Sequence, residues 1–379
     1  MTLALREFLA TQERLDRPAI DAFVADHGSP IVEGSTITFL YVGRADEVRL
    51  RHFIYALAAY QPFERVRGTD LWFLRLEVPP GSRIEYKFEV VQGHHRRLVR
   101  DPLNPHLAND PYGANSVCHG AGYETPAWTQ QDPEARTGAI ETISVKSEAL
   151  GGERAIEVYL PPRMRPTRRY PLLVVFDGHD YLHFAGMRTV LDNLLHRHEV
   201  EPMVVAFTQS PQRLQEYAAD PRLDQFVATE LLPAIEARYP LRPGPENRGL
   251  MGASLGAVAS LVTAWRHQGR FGRLLLQSGS FAFTDIGREA KHEVLLPVVD
   301  FMKEFRDAPG RPADRVFVSC GVFEGLIYEN RSLVPFLQAS GLDVKFVEAR
   351  DGHNWENWRD RLRAGLSWLF PGPLGLVYE

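Results

Sequence analysis

Residues 249–261 read GLMGASLGAVASL, a serine set among small residues where an apolar run gives way to a helical rhythm. Within it, Gly252-Ala253-Ser254-Leu255-Gly256 fits G-x-S-x-G, the pattern in which a sharp strand-to-helix turn holds a serine hydroxyl out toward solvent. A side chain in place of Gly252 or Gly256 would collide with the neighbouring strand and helix. The pattern alone is weak, because with glycine at about 7 % of residues roughly one chain in eight of this length carries it by chance. Its surroundings must decide.

Those surroundings have a single rhythm from about residue 139 onward. Apolar runs AIEVYL (155–160), PLLVVF (171–176), EPMVVAF (201–207), RGLMGAS (248–254), GRLLLQS (272–278), DRVFVSC (314–320) and DVKFVEA (343–349) are separated by helix-length stretches such as DQFVATELLPAIEARY (224–239) and RSLVPFLQASG (331–341). Buried strands alternating with helices imply a mostly parallel sheet covered by helices on both faces. Ser254 then sits where a strand ends and the helix LGAVASLVTAWRH (255–267) begins, the strand–turn–helix context the motif requires.

Upstream, from about Ile31 to Cys118, the period is two. In LWFLRLEV (71–78), Trp72, Leu74, Leu76 and Val78 alternate with Phe73, Arg75 and Glu77; in RIEYKFEV (83–90), Ile84, Tyr86, Phe88 and Val90 alternate with Glu85, Lys87 and Glu89. Alternation of this kind marks half-buried antiparallel strands, and Pro79-Pro80-Gly81-Ser82 supplies a turn between them. STITFLYV (35–42) and EVRLRHF (47–53) are further strand candidates, so a small all-β sandwich is expected. AGYETPAWTQQDPEARTG (121–138), polar with scattered prolines, reads as a linker ending near Gly138. The expected divisions are a helical segment over 1–30, a β-sandwich over 31–125, a linker over 126–138 and an α/β domain over 139–379.

A chain of 379 residues suits two such domains. Its composition is that of a soluble globular protein, and a formal charge of −5 argues against a general nucleic-acid binder. Cys118 and Cys320 are far apart and suggest neither a disulfide framework nor a zinc site. The opening MTLALREFLATQERLDRPAIDAFVADHG (1–28) reads as amphipathic helix, with no apolar segment before a cleavage site. YPLLVVF (170–176) is far too short to span a membrane. The cytoplasm is the expected compartment, with neither a membrane nor a nucleic-acid partner.

A serine hydroxyl is a poor nucleophile without a base. In this architecture the partners follow in the order Ser, Asp or Glu, His. His353, in ARDGHNWENWR (349–359), is the only histidine C-terminal to His292 and follows a strand by a short loop. Glu324, in VFVSCGVFEGLIYENR (316–331), stands just after its strand; Glu329 is the rival acid but should fall inside the following helix. The acid would fix the imidazole tautomer and stabilise the imidazolium. Leu255 N–H, at the start of a helix, and His179 N–H, in LLVVFDGHDY (172–181), are the candidate oxyanion donors. Each residue also has a plainer reading: a close-packed corner for 252–256, an aromatic-cluster histidine for His353 beside Trp355 and Trp358, a helix-dipole charge for Glu324. His94-His95 and His196-x-His198 lack a matching acid set and are read as solvated, and Asp177 as a turn-holding carboxylate.

Taken together, LLVVFDGHDY, ELLPAIEARYP (230–240), GLMGASLGAVASL, FGRLLLQSGSF (271–281), CGVFEGLIYENR (320–331) and GHNWENWR (352–359) resemble the esterase D family of α/β-hydrolases, especially its enterochelin esterase branch. In that branch an early-set, immunoglobulin-like domain precedes the hydrolase, and LWFLRLEVPPGSRIEYKFEV followed by DPLNP (101–105) is similar to it. The resemblance implies Ser254 as nucleophile, Glu324 as acid and His353 as base. Asp351 departs from the first glycine of the family's Gly-Gly-His-Asp, Asn354 from its following aspartate, and glutamate stands where aspartate is the more usual acid. The family acylates its serine with an ester and releases the acyl group to water, or in mycolyltransferases to a sugar. Its chemistry needs no metal or organic cofactor, and iron would arrive only with the substrate.

The expected activity is therefore serine ester hydrolysis on a small-molecule ester, first a ferric-siderophore trilactone or related catecholate ester. The rivals are a general or carbohydrate-linked (feruloyl or acetyl) carboxylesterase and a non-catalytic glycan-binding protein with a vestigial hydrolase. The first half is expected to wall one side of the active-site mouth or to form a homodimer contact. On that view, a chain beginning near Gly138 keeps much of its turnover on a short aryl ester and loses most of it on a bulky one.

Overall fold

Alternation in the first half and continuous apolar runs in the second produce two compact units in the computed structural model, which describes residues 2–11, 15–283 and 293–373. The first unit joins Met1–Thr125 to two short returns from the second half of the chain, Gly321–Glu324 and Ala349–Asn354. The second holds Pro126–Cys320, Gly325–Glu348 and Trp355–Glu379.

The first unit opens on two helices, α1 (Leu3–Thr11) and α2 (Arg17–His27), where the sequence suggested one amphipathic run; residues 12–14 between them lie outside the described residues. Asp16 accepts a hydrogen bond from the Ala19 N–H and Pro18 follows in the first turn, so a new helix starts there. Phe8 of α1 stacks on Phe23 of α2 with ring centroids 4.3 Å apart. Ten strands follow: β1 (Ile31–Glu33), β2 (Thr36–Val42), β3 (Glu47–His52), β4 (Tyr60–Pro62), β5 (Glu64–Arg65), β6 (Leu71–Glu77), β7 (Arg83–Gln92), β8 (His95–Val99), β9 (Leu107–Asp110) and β10 (Gly113–His119). They form two antiparallel sheets, ordered β1-β2-β6-β5 and β4-β3-β7-β10-β9 with β8 also on β7. Ile37, Phe39, Val48, Leu50, Trp72, Ile84, Tyr86, Phe88 and Val90 share their core.

Strands β2, β6, β7 and β10 all bury consecutive residues, and β7 does so with charged ones. On β7 the apolar face enters that core as expected, but Arg83, Glu85 and Glu89 on the other face are buried too. At its first residue the Arg83 N–H donates to the Arg350 carbonyl at 2.9 Å and brings residues 349–354 over that end of the strand, while farther along Glu89 accepts from Arg49 of β3 at 3.2 Å.

In the second unit β11 (Ala139–Ser147), β12 (Gly152–Leu160), β13 (Leu172–Phe176), β14 (Val204–Thr208), β15 (Arg248–Ala253), β16 (Arg273–Gln277), β17 (Arg315–Gly321) and β18 (Asp343–Ala349) make one sheet, ordered β11-β12-β14-β13-β15-β16-β17-β18. From β14 through β17 the pairing is parallel; β11 and β12 are antiparallel. Successive residues of the inner strands divide between two buried clusters: Val174, Phe176, Leu250, Leu274 and Val316 enter one, Leu173, Val175, Met251, Leu275 and Phe317 the other. This is why those strands read as unbroken apolar runs.

Helices cover both faces, as the sequence predicts: α3 (Gly178–His183), α4 (Met187–His196), α5 (Arg213–Glu216), α6 (Pro221–Gln225), α7 (Leu232–Arg238), α8 (Leu255–Arg266), α9 (Leu296–Asp307), α10 (Ile327–Ala339) and α11 (Trp355–Leu369). Leu261 of α8 and Phe301 of α9 join the first cluster; Leu191 of α4 and Leu362 of α11 join the second. The stretch 126–138 is no free spacer: Trp128 packs on the second cluster, and the Asn193 amide donates to the Trp128 and Gln130 carbonyls. Among the described residues no helix is long and apolar enough to cross a membrane.

Candidate active site

Ser254 directly follows β15 and directly precedes α8, at φ 58° and ψ −122°, a backbone conformation that non-glycine residues rarely adopt. Its N–H donates to the Gln277 carbonyl at 2.9 Å and its carbonyl accepts from Ala257 at 3.1 Å, so both chain directions of the turn are fixed. A Cβ on Gly252 would overlap the Gly256 carbonyl, and one on Gly256 would come within 3.3 Å of the Phe176 Cβ. The strand and helix can approach this closely only with glycine at 252. The Ser254 hydroxyl is half-buried and lies 3.2 Å from the Ser280 Oγ, a neighbour that the sequence motif does not disclose.

Glu324 and His353 are brought together directly. Each follows a strand of the sheet, Glu324 after β17 and His353 after β18. The His353 Nδ1 lies 2.6 Å from the Glu324 Oε2, and the other carboxylate oxygen accepts from the Gly321 N–H at 2.7 Å. The carboxylate is buried and the imidazole is exposed to solvent. A Cβ on Gly321 would overlap the Asp351 carbonyl oxygen, so glycine is what allows the two loops to touch. Glu329 lies inside α10 and is buried.

The loop before His353 carries its own network. Asp351 is buried, and burial pushes its carboxyl up to about 6 against the pull of the Arg83 guanidinium, the Asn354 amide and the Gly352 N–H. Arg83 is fully buried on β7, and the sequence alone does not reveal it because charge on the alternate face of a strand reads as solvated. Its one signal was the i, i+2 placement with Glu85, which puts both on one face.

Leu255 is the first residue of α8 and His179 the second of α3, so the N–H groups of both belong to first turns that lack intrahelical acceptors. The His179 ring itself is turned to Glu157, with Nδ1 3.3 Å from its Oε2. Asp177, in a left-handed conformation at φ 53°, is held by Arg213 at 2.8 and 2.7 Å, and burial pushes its carboxyl up. After His353, the Trp355 and Trp358 rings meet edge to face at 4.7 Å, and the Trp358 indole N–H donates to the Ser278 hydroxyl at 3.0 Å. His94, His95, His196 and His198 are exposed, and no group of three or more metal-ligating side chains occurs among the described residues.

Comparison with known proteins gives the family of the chain. The family model described as "Putative esterase" matches residues 147–369. The uncharacterized protein YjcH of Bacillus subtilis is 25 % identical over 246 residues, covering 61 % of this chain and 97 % of that protein. An iron(III) enterobactin esterase of Dickeya dadantii is 26 % identical over 362 residues, covering 82 % and 80 %. The crystal structure of the ferric enterobactin esterase of Salmonella typhimurium superposes with a TM-score of 0.76 at 21 % identity, covering 92 % of this chain and 98 % of that one, a likeness of fold. The chain belongs to this esterase family and is an enterochelin esterase-like α/β-hydrolase.

Proposed function

We propose that the chain hydrolyses esters through an acyl-enzyme, with Ser254 as nucleophile, His353 as general base and Glu324 as the acid that orients it. The observation that carries this reading is the 2.6 Å bond between the His353 Nδ1 and a buried carboxylate. A carboxylate there accepts from Nδ1–H, which leaves the lone pair on Nε2. Supporting it is the strained turn at Ser254, whose cost of about 1–3 kcal/mol is characteristic of residues held for chemistry.

In the first half-reaction the Ser254 Oγ attacks the ester carbonyl carbon and its proton passes to the His353 Nε2. The carbonyl π electrons move onto oxygen, where the Leu255 and His179 N–H groups donate to the oxyanion. The oxyanion collapses, the alcohol leaves with the proton from Nε2, and the acyl group stays on Ser254. Water then repeats the sequence: it gives a proton to Nε2, attacks the acyl carbon, and Ser254 departs with that proton. Glu324 keeps its bond to the His353 Nδ1–H throughout and stabilises the imidazolium. The leading substrate is a ferric-siderophore trilactone or a related catecholate ester, supported by the iron(III) enterobactin esterase relatives; the iron belongs to the substrate.

A fluorophosphonate probe tests the nucleophile. It should label the parent chain at Ser254 and leave the Ser254→Ala variant unlabelled and without ester turnover, while thermal unfolding is nearly unchanged because one hydroxyl is lost without a cavity. Labelling at another residue would remove Ser254 from the mechanism. A turnover screen of ferric trilactone siderophores against short aryl and feruloyl esters tests the substrate. The trilactone should have the highest kcat/KM, and equal or faster turnover of the simple esters would replace it.

A further inference from the structure

His353 lies between two residues, Asp351 and Asn354, that both bond to a single guanidinium from far upstream in the chain. Arg83 Nη1 is 3.2 and 3.4 Å from the two Asp351 carboxylate oxygens and donates to the Asn354 Oδ1 at 3.0 Å, while Nη2 donates to the Glu85 Oε1 at 2.9 Å. The backbone is tied as well, through Arg83 N–H to the Arg350 carbonyl and through the Arg350 guanidinium to the Pro80 carbonyl. Within the loop, Asp351 Oδ1 accepts from the Gly352 N–H at 2.7 Å and from the Asn354 amide at 2.8 Å. Its carbonyl accepts from the Phe323 N–H at 3.1 Å, one residue before Glu324.

This network is costly to build and no step of ester hydrolysis uses it. Taking a guanidinium and two carboxylates out of water carries a desolvation penalty that only good geometry offsets, and apolar residues of similar volume often serve stability as well. What the ion network adds over apolar packing is direction. A planar fork contacting three acceptors fixes the rotation of the segment that holds them, which a lysine point charge would not do.

We propose that Arg83 is a positioning residue for His353: through Asp351 and Asn354 it clamps the histidine loop, holding the imidazole against Glu324 in the orientation that accepts the Ser254 proton. The clamp rests on the reading of His353 as the general base. Loosening it costs attack geometry and leaves substrate contacts alone, so kcat falls and KM stays. A displacement of about 1 Å in such a group costs on the order of 100-fold in rate.

The test is a double-mutant cycle in the full chain: Arg83→Gln, Asp351→Asn and the two combined, with thermal unfolding to identify folded protein. Folded single variants should lose about 10- to 100-fold in kcat on a short aryl ester and in fluorophosphonate labelling rate, with KM nearly unchanged. The double variant should lose no more than the worse single, because both remove one contact. Asp351→Asn carries the test if Arg83→Gln does not fold, since Arg83 then keeps Glu85. Parental labelling rates in the folded single variants, or losses that multiply in the double, would overturn the clamp. His353→Ala separates the two readings. If it silences labelling while the folded Arg83 and Asp351 variants label at the parental rate, the clamp alone fails; if it labels at the parental rate, the base assignment fails and takes the clamp with it.

Discussion

Two glutamates five residues apart, Glu324 and Glu329, illustrate how position and not residue type sets a carboxylate's role. Both are buried, yet Glu324 meets the His353 Nδ1 at 2.6 Å, whereas Glu329 lies in the first turn of α10. Neutralising Glu324 removes the acceptor that fixes the tautomer and the charge that stabilises the imidazolium. Glu324→Gln should therefore lower kcat by about 10³- to 10⁴-fold with little change in KM, by analogy with the loss of the acid in serine triads. Glu329→Gln should leave kcat per folded molecule unchanged. Steady-state kinetics on a short aryl ester checks both, and the reverse result would move the acid to α10. That Ser254, Glu324 and His353 each stand just past a strand of the large sheet was legible in the sequence, because the strand–helix rhythm marks where each strand ends. The contacts of Arg83 with Asp351 and Asn354, and of Ser280 with Ser254, were not, since they form only through long-range packing.

At the scale of elements, legibility followed burial. The inner strands of the large sheet bury both faces and so appear as unbroken apolar runs, while β11, AIETISVKS at 139–147, pairs only with β12 at the sheet edge and alternates with polar residues, which hid it. In the antiparallel sheets, alternation located β2, β3, β6 and β7 but misread the polar face of β7, because nothing local signals what a distant loop covers. Asp101 is another charge hidden among these strands: its carboxylate accepts from the Ser29 hydroxyl and the Tyr86 phenol, both at 2.7 Å, and from the Leu103 N–H at 2.9 Å. Burial nonetheless pushes its carboxyl from 3.8 up to about 6. Between those values the folded chain holds a proton that the unfolded chain has released, so this group's stabilising contribution is complete below about pH 4 and is lost as pH rises through about 6. The unfolding free energy of the parent, measured in urea against Asp101→Asn, should fall between about pH 4 and pH 7.5. A difference that is flat or rises with pH would show that Asp101 is ionised in the folded chain across that range.

At the scale of the whole molecule, the chain divides after Thr125, but two short segments of the second half return to the first unit. Gly321–Glu324 and Ala349–Asn354, which carry Glu324 and His353, cluster with Met1–Thr125 and not with the sheet strands that precede them. The Tyr55 N–H donates to the Phe323 carbonyl at 2.7 Å, the Arg83 N–H to the Arg350 carbonyl at 2.9 Å, and Phe323 packs against the core of the antiparallel sheets. A first half that merely walled the mouth would be dispensable for small esters, because they need no remote binding energy. These bonds give it a second duty, since they hold the loops that carry Glu324 and His353, the acid and base of the proposed mechanism. A chain beginning at Pro126 should then lose turnover of a short aryl ester as severely as turnover of a bulky trilactone, by about 100-fold or more per folded molecule, because the loops bearing Glu324 and His353 lose their packing partners. The measurement is kcat/KM on both esters in full and shortened chains, each normalised to the folded fraction from thermal unfolding. If the shortened chain keeps most of its aryl-ester turnover and loses only the trilactone, the first half selects substrate and the loops hold their geometry without it.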